Sequence, residues 1–292
     1  MARPHPSPVP DDDPPGAGAP GAGAPEVMLP AHVRLAWGID EPPSKGPKRG
    51  LSLEAIVAAA IELADAEGHG AVSMARVAAR LGSSPMGLYR YVSSKEDLIA
   101  LMIDVALGPS PRASGRDGWR AGMRRWAIAE RAAYLRHPWG PRVPIAGPPI
   151  LPNHLAWLED ALQCFAGTGL TEQEKLSSVL FVSGFVRNSV LLLGDLADGP
   201  PEAGRTWGRV VAALIDPVAM PGLGRALASG SMDDDEDDEG LEAEFEFGLE
   251  RALDGIERLV DERAARAAAR ATRDAVRRGR AASRDTARRR RT

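Results

Sequence analysis

Apolar residues recur along most of this chain at intervals of three and four, which gives an α-helix one buried face. Residues 53–67 carry Ile56, Ala60, Leu63 and Ala64 at that spacing. Ser52 stands where an N-cap is needed, and Gly-His-Gly at 68–70 ends the run. Val72, Val77, Ala78, Leu81, Leu88 and Val92 then predict two short helices folded over one small core. Ser73 caps the first of these and Gly82 ends it, since glycine readily adopts the left-handed backbone that a helix C-terminus requires. Ser84 is placed to cap the second, with Pro85 in its first turn, where no backbone donor is needed. A third helix, about 95–107, opens on a Ser94–Asp97 capping box and carries Leu98, Ile99, Met102 and Val105. The unit therefore reads as helix, glycine turn, helix.

The glycine- and proline-rich stretch 108–115 breaks the pattern and marks a domain boundary. Helical spacing resumes over about 117–136. The prolines of 137–152 predict a loop, and a helix follows over about 153–166. Thr171 and Glu174 form a second capping box. The helix it opens, 172–194, is apolar on more than one face, so burial partly by another chain is expected. Residues 195–240 read as loop, with one short helical stretch near 206–215. Residues 241–262 are amphipathic through Phe245, Leu249, Leu253, Ile256 and Val260. The expected organisation is a disordered Pro/Gly/Asp-rich tail and basic arm over 1–49, a helical head over 50–107, a larger helical body over 116–262, and an Arg-rich tail over 263–292. The small apolar cluster of Val33, Leu35 and Trp37 either docks on the folded body or belongs to a mobile tail.

Composition sharpens this to an all-α chain. Aromatic residues are only 5%, and Ala, Leu and Arg dominate. One cysteine, Cys164, rules out an intrachain disulfide. No secretory leader or membrane-spanning apolar run is evident, so a cytoplasmic protein is expected. The net charge of −4 hides strong segregation. Residues 44–95 hold seven Lys/Arg against four Asp/Glu, residues 263–292 hold twelve Arg against two Asp, and residues 233–239 are all acidic. The positive patches, not the global charge, bear on nucleic-acid binding.

Candidate chemistry follows from what the second short helix leaves outside its core side. Ser84, Pro85, Met86, Gly87, Tyr89, Arg90 and Tyr91 are small, aromatic or cationic, and suit a DNA major groove and its phosphates. Lys95 sits at a helix N-terminus, a place that attracts phosphate. Lys45, Lys48 and Arg49 form either a minor-groove arm or an ordinary linker. Five scattered histidines and one cysteine make no metal-ligand pattern, the acidic run lacks calcium-loop spacing, and neither a phosphate loop nor a nucleophile elbow is found. No cofactor and no catalytic residue are therefore expected. The Arg-rich tail binds DNA nonspecifically, folds back on the acidic run, or is a solvated helix.

The segment LGSSPMGLYRYVSSKEDL (81–98) resembles the TetR family of bacterial transcriptional repressors. The second half is similar to the tetracycline-repressor subgroup in RHPW (136–139), NHLAWLEDALQCFAGTGL (153–170) and FEFGLERALDGIERL (245–259). The likeness covers roughly 50–262. It implies a homodimer with a three-helix DNA-binding head and a ligand-binding body, joined through a four-helix bundle for which 172–194 and 241–262 are the candidates. It implies an operator in double-stranded DNA and a small-molecule effector. Two positions depart from the tetracycline repressor. A magnesium-binding histidine is replaced by Ile145 and a drug-binding asparagine by Trp126, so a magnesium–tetracycline effector is not expected. Trp126, Glu130, Trp157 and Phe185 are the candidate lining of a mostly apolar effector site, although a Trp or Phe at helical spacing is usually plain core. The competing class is an architectural protein that binds DNA nonspecifically through its basic tail.

Overall fold

The computed structural model describes residues 28–40, 51–112, 118–145, 147–197, 202–232 and 238–289. The expected disorder over 1–28, the basic arm of Lys45, Lys48 and Arg49, and most of the acidic run lie outside these. Ala31–Thr292 forms one compact unit. It is built of helices: α1 (Ala31–Ala36), α2 (Leu53–Glu67), α3 (Met74–Arg80), α4 (Pro85–Leu88), α5 (Lys95–Leu107), α6 (Gly118–Arg136), α7 (Pro152–Cys164), α8 (Glu172–Ala197), α9 (Glu202–Leu214), α10 (Pro221–Ala228) and α11 (Asp238–Arg289).

Helices α2 to α5 make the head around Ile56, Leu63, Val72, Val77, Leu88, Val92, Leu98 and Met102, all buried. The caps at Ser52, Ser73 and Ser94 form as expected, each hydroxyl accepting the N–H three residues on. Gly82 takes a φ of 59° at the turn after α3. Helices α6, α7, α8 and α11 make the body around Met123, Trp126, Trp157, Phe165, Val182, Val186, Phe245, Leu249 and Leu253. Gly248 lets α11 close on α8, since a Cβ there would meet the Phe185 ring at 2.6 Å.

Several expectations need correction. Ser84 occupies the cap position of α4 but makes no side-chain cap bond. This helix is a single turn with a proline at N1, and the Ser84 carbonyl already takes the Gly87 N–H. Asp97 does not complete its capping box; its Oδ1 lies 2.8 Å from His32 Nδ1 of α1. Thr171 and Glu174 do form the reciprocal box. Residues 195–240 are more helical than expected, because α9 starts at Glu202 and α10 was not foreseen. Helix α8 is apolar beyond one face, as expected, but over Glu172–Leu196 it is also long and apolar enough by length and composition to cross a bilayer, where no run of that length was expected. It instead sends Val179, Val182, Val186 and Val190 into the body core. The amphipathic helix expected to end near 262 runs on to Arg289.

Candidate nucleic-acid interface

The turn between α3 and α4 is set by the Gly82 backbone and by the Ser83 N–H, which returns to the Ala78 carbonyl at 2.9 Å. This leaves α4 on the surface with only Leu88 buried. Met86 is 75% exposed, Tyr89 47%, and Ser84, Pro85 and Arg90 are also exposed. Arg90 makes no ion pair among the described residues. In contrast, the α3 arginines are engaged: Arg80 bonds Glu62 at 2.8 Å and Arg76 bonds Glu67. The pairing leaves Arg90 as the guanidinium of the helix-turn-helix that is open to a ligand. Lys95 is half-buried at the first position of α5.

Two of the predicted contacts face inward. The Tyr91 hydroxyl donates to the Leu51 carbonyl at 3.1 Å, so the ring braces the start of α2 rather than offering its O–H to DNA. Gly87 is turned toward the head, since a Cβ there would meet Ser83 Oγ at 2.7 Å. Its value is close packing. A helix of one turn cannot present every residue outward, and 3.6-residue periodicity does not show where such a short helix stops.

In the body, the four candidate lining residues come together as core. Trp126 Nε1 donates to the Trp157 carbonyl and Trp157 Nε1 to the Gly108 carbonyl, both at 2.9 Å, with the rings edge-on at 5.6 Å. Phe185 stacks on Phe245 at 5.6 Å, and the Arg131 guanidinium lies 4.3 Å from the Phe245 ring centre. A small cavity of about 10 Å³ touches just one of them, where Trp126 meets Arg112, Arg125, Asp160 and Cys164. A cavity of about 20 Å³, room for roughly one water, touches Ile103, Leu107, Tyr134, His137 and His154 between α5 and α6.

Glu130 is the polar exception, 5% exposed. Ser183 Oγ donates to its Oε1 at 2.7 Å, while its Oε2 is buried without a partner. Burial pushes its carboxyl up from 4.5 to about 7, against the hydrogen bonds from Ser183 and Tyr134. The unfolded chain releases this proton at lower pH than the folded one. The cost of ionising Glu130 is therefore absent below about 4.5, grows through the interval, and is complete above about 7. Glu130→Gln is thus expected to match the parent in stability at pH 4.5 and to exceed it by roughly 3 kcal/mol at pH 8. Urea unfolding at the two pH values measures this, and a difference that does not grow with pH refutes it.

The contacts between head and body were missed by sequence reasoning. Asp65 of α2 accepts from His137 Nδ1 at 2.8 Å and from Trp139 Nε1 at 2.6 Å. Asp104, buried in α5, accepts from the His154 N–H at 2.9 Å and lies 2.8 Å from His154 Nδ1; the Asn153 amide donates to the Asp104 carbonyl. Only the docking of the Val33, Leu35 and Trp37 cluster was among the alternatives: Val33 is buried, and Trp37 Nε1, just after α1, donates to the Ile150 carbonyl. The one available signal was Asp104 itself, an acid inside the apolar run Leu101–Leu107.

With this geometry established, the likenesses to known proteins are informative. The family described as "Bacterial regulatory proteins, tetR family" matches residues 56–102, and "Tetracyclin repressor-like, C-terminal domain" matches 110–260. The HTH-type transcriptional repressor DrrR1 of Streptomyces coeruleorubidus is 37% identical over 79% of this chain and 86% of its own. Apo ActR from Streptomyces coelicolor has the same fold, with a TM-score of 0.64 at 23% identity, covering 75% of this chain and 99% of that one. ActR in complex with actinorhodin gives 0.63 at 22% identity, over 72% and 99%. The head that carries Arg90 and the body that encloses Glu130 both fall within matched segments, and on that ground the chain belongs to the TetR family of DNA-binding transcriptional regulators.

Proposed function

We propose that the protein is a ligand-responsive repressor, acting in the cytoplasm as a homodimer on a palindromic operator and released by a small, largely apolar molecule. The observation that carries this is the open face of Met86, Tyr89 and Arg90 on a head fastened to the body through buried Asp104. A dimer reads two half-sites about one helical turn of DNA apart, so a small displacement of the heads is enough to abolish the fit. The Asp65 and Asp104 contacts are the means by which a shift of α6 or α7 would reach the heads. The effector would enter by separating the Trp126–Trp157 and Phe185–Phe245 pairs, and would favour the conformation in which they stand apart. The ActR–actinorhodin complex supports a small-molecule role for this kind of body.

The test is to recover genomic fragments on the purified protein, sequence them and titrate the enriched site. Arg90→Ala should weaken that site by about 10-fold or more while changing random DNA little, because a guanidinium paired with guanine contributes roughly 1–3 kcal/mol of discrimination. Lys95→Ala should weaken the head's grip on any duplex alike and lower the salt slope at the enriched site by about one. Equal losses on both DNAs for Arg90→Ala remove its base-reading role. Failure to enrich any site removes the repressor reading itself.

A further inference from the structure

We infer that the C-terminal part of α11 is a second DNA-binding element, which grips the phosphates of a duplex other than the one beneath α4. Along this segment arginines stand at 263, 266, 270, 273, 277, 280 and 284, alternating in steps of three and four. That spacing keeps a set of residues on one helical face. Every residue from Ala264 to Arg278 is exposed. Asp274 is the single acid between 264 and 284.

The two halves of α11 differ sharply in electrostatics. Up to Glu257 the helix is acidic, and five of its carboxylates are taken by arginines of α6: Glu242 by Arg131, Glu246 by Arg124, and Glu250, Asp254 and Glu257 by Arg120. Arg263 is held by Glu174 at the start of α8. Beyond that point Arg270, Arg273, Arg277 and Arg278 have no acidic partner among the described residues. A row of guanidiniums with no acidic partner among the described residues, on an otherwise alanine-rich helix, is an exposed cationic surface.

The same ion pairs fix its direction. Glu242 lies by Arg131, near the end of α6 where His137 and Trp139 meet the head through Asp65. Glu257 lies by Arg120, at the opposite end of α6. Helix α11 therefore runs away from the head. Residues 264–289 extend it by roughly 40 Å at 1.5 Å per residue. An element so placed cannot share the duplex that α4 reads.

Charge complementarity selects DNA as the occupant. Arginine matches phosphate geometry, a helix fits the major groove, and the chain already belongs to a DNA-binding family. A membrane surface needs large apolar residues on the opposite face, and Val276 is the lone one between 264 and 289. An acidic protein partner would need apolar anchors that this segment does not have. Contacts of this kind read charge, not sequence. The consequence is a protein that ties its specific site to a second, arbitrary segment of duplex.

The experiment uses the full chain immobilised on beads and a labelled 30-base-pair duplex of random sequence. R270Q/R273Q/R277Q should lower its capture by at least about 10-fold at 0.15 M salt and reduce the salt slope by about 2 to 3. The corresponding triple Lys variant should retain most of the capture, since the charge is kept. Beads carrying the enriched genomic fragment report the head separately. On these, the Gln variant should bind within about threefold of the parent, yet fail to recruit the labelled random duplex. Unchanged capture by the Gln variant overturns the inference. So does loss of the parent's capture on adding phosphatidylglycerol vesicles that bind the parent but not the Gln variant. If no genomic fragment is enriched, the repressor reading fails on the second set of beads while the random duplex still tests α11 on the first.

Discussion

Leu180→Glu is expected to leave the chain monomeric and to weaken operator binding by more than about 100-fold, the gain that linking two sites ordinarily supplies. Helix α8 turns its valines into the subunit core, yet Leu180 is 74% exposed, Phe181 57%, Leu192 56% and Leu196 51%. Leu176, Leu180, Leu192 and Leu196 fall on one stripe by four-residue steps, and Gly184 stands between them with no atom within 4 Å of where its Cβ would be. Such a stripe on a single subunit is an apolar patch awaiting another surface. The gap at Gly184 gives a second helix room to approach. Phe247 of α11, the other helix expected in the bundle, is exposed as well. Because Leu180 contributes little to its own subunit's core, a buried charge there should act on association and not on folding. Sedimentation equilibrium and operator titration read the two effects. A parent protein that is monomeric, or a Leu180→Glu protein that remains dimeric, contradicts the bundle.

Asp104→Ala should cost about 3 kcal/mol or more of stability, since it strands buried donors and removes a charge-assisted network. Asp104 is 5% exposed and receives the first amides of α7. Those N–H groups have no partner within their own helix, and the N-terminus of α7 carries partial positive charge that a carboxylate offsets. His154 adds a side-chain contact at 2.8 Å. Asp104→Asn keeps the shape without the charge and should lose roughly half as much. Urea unfolding measures both. In the surviving folded fraction, DNA release by an effector should be weakened, because α5 and α7 no longer move together. A loss below about 0.5 kcal/mol for Asp104→Ala would mean that the joint is not held there.

The helix-turn-helix was legible because its signals are local. The caps at Ser73 and Ser94, the Gly82 turn and the buried stripe through Leu88 depend on residues within a few positions of one another. The direction in which Tyr91 and Gly87 turn was not legible, for the complementary reason. Whether they face DNA or the head depends on Leu51 and Ser83, and on α4 ending after a single turn. Trp126, Glu130, Trp157 and Phe185 were recognised as a group by spacing and resemblance, but helical spacing alone does not distinguish the wall of an open site from a closed core.

What the amino-acid order determined by itself was the helical character, the helix-turn-helix, the apolar excess of α8 and the cationic spacing beyond residue 263. All of these are properties of neighbours along the chain. The tertiary structure alone decided that Asp65 and Asp104 join head to body, that Glu130 keeps an unpartnered oxygen, and that α11 carries its arginines away from the head. Those outcomes depend on pairs tens of residues apart, or on the direction in which one helix lies against another, and neither distance nor direction is encoded in a local pattern of apolar and polar positions.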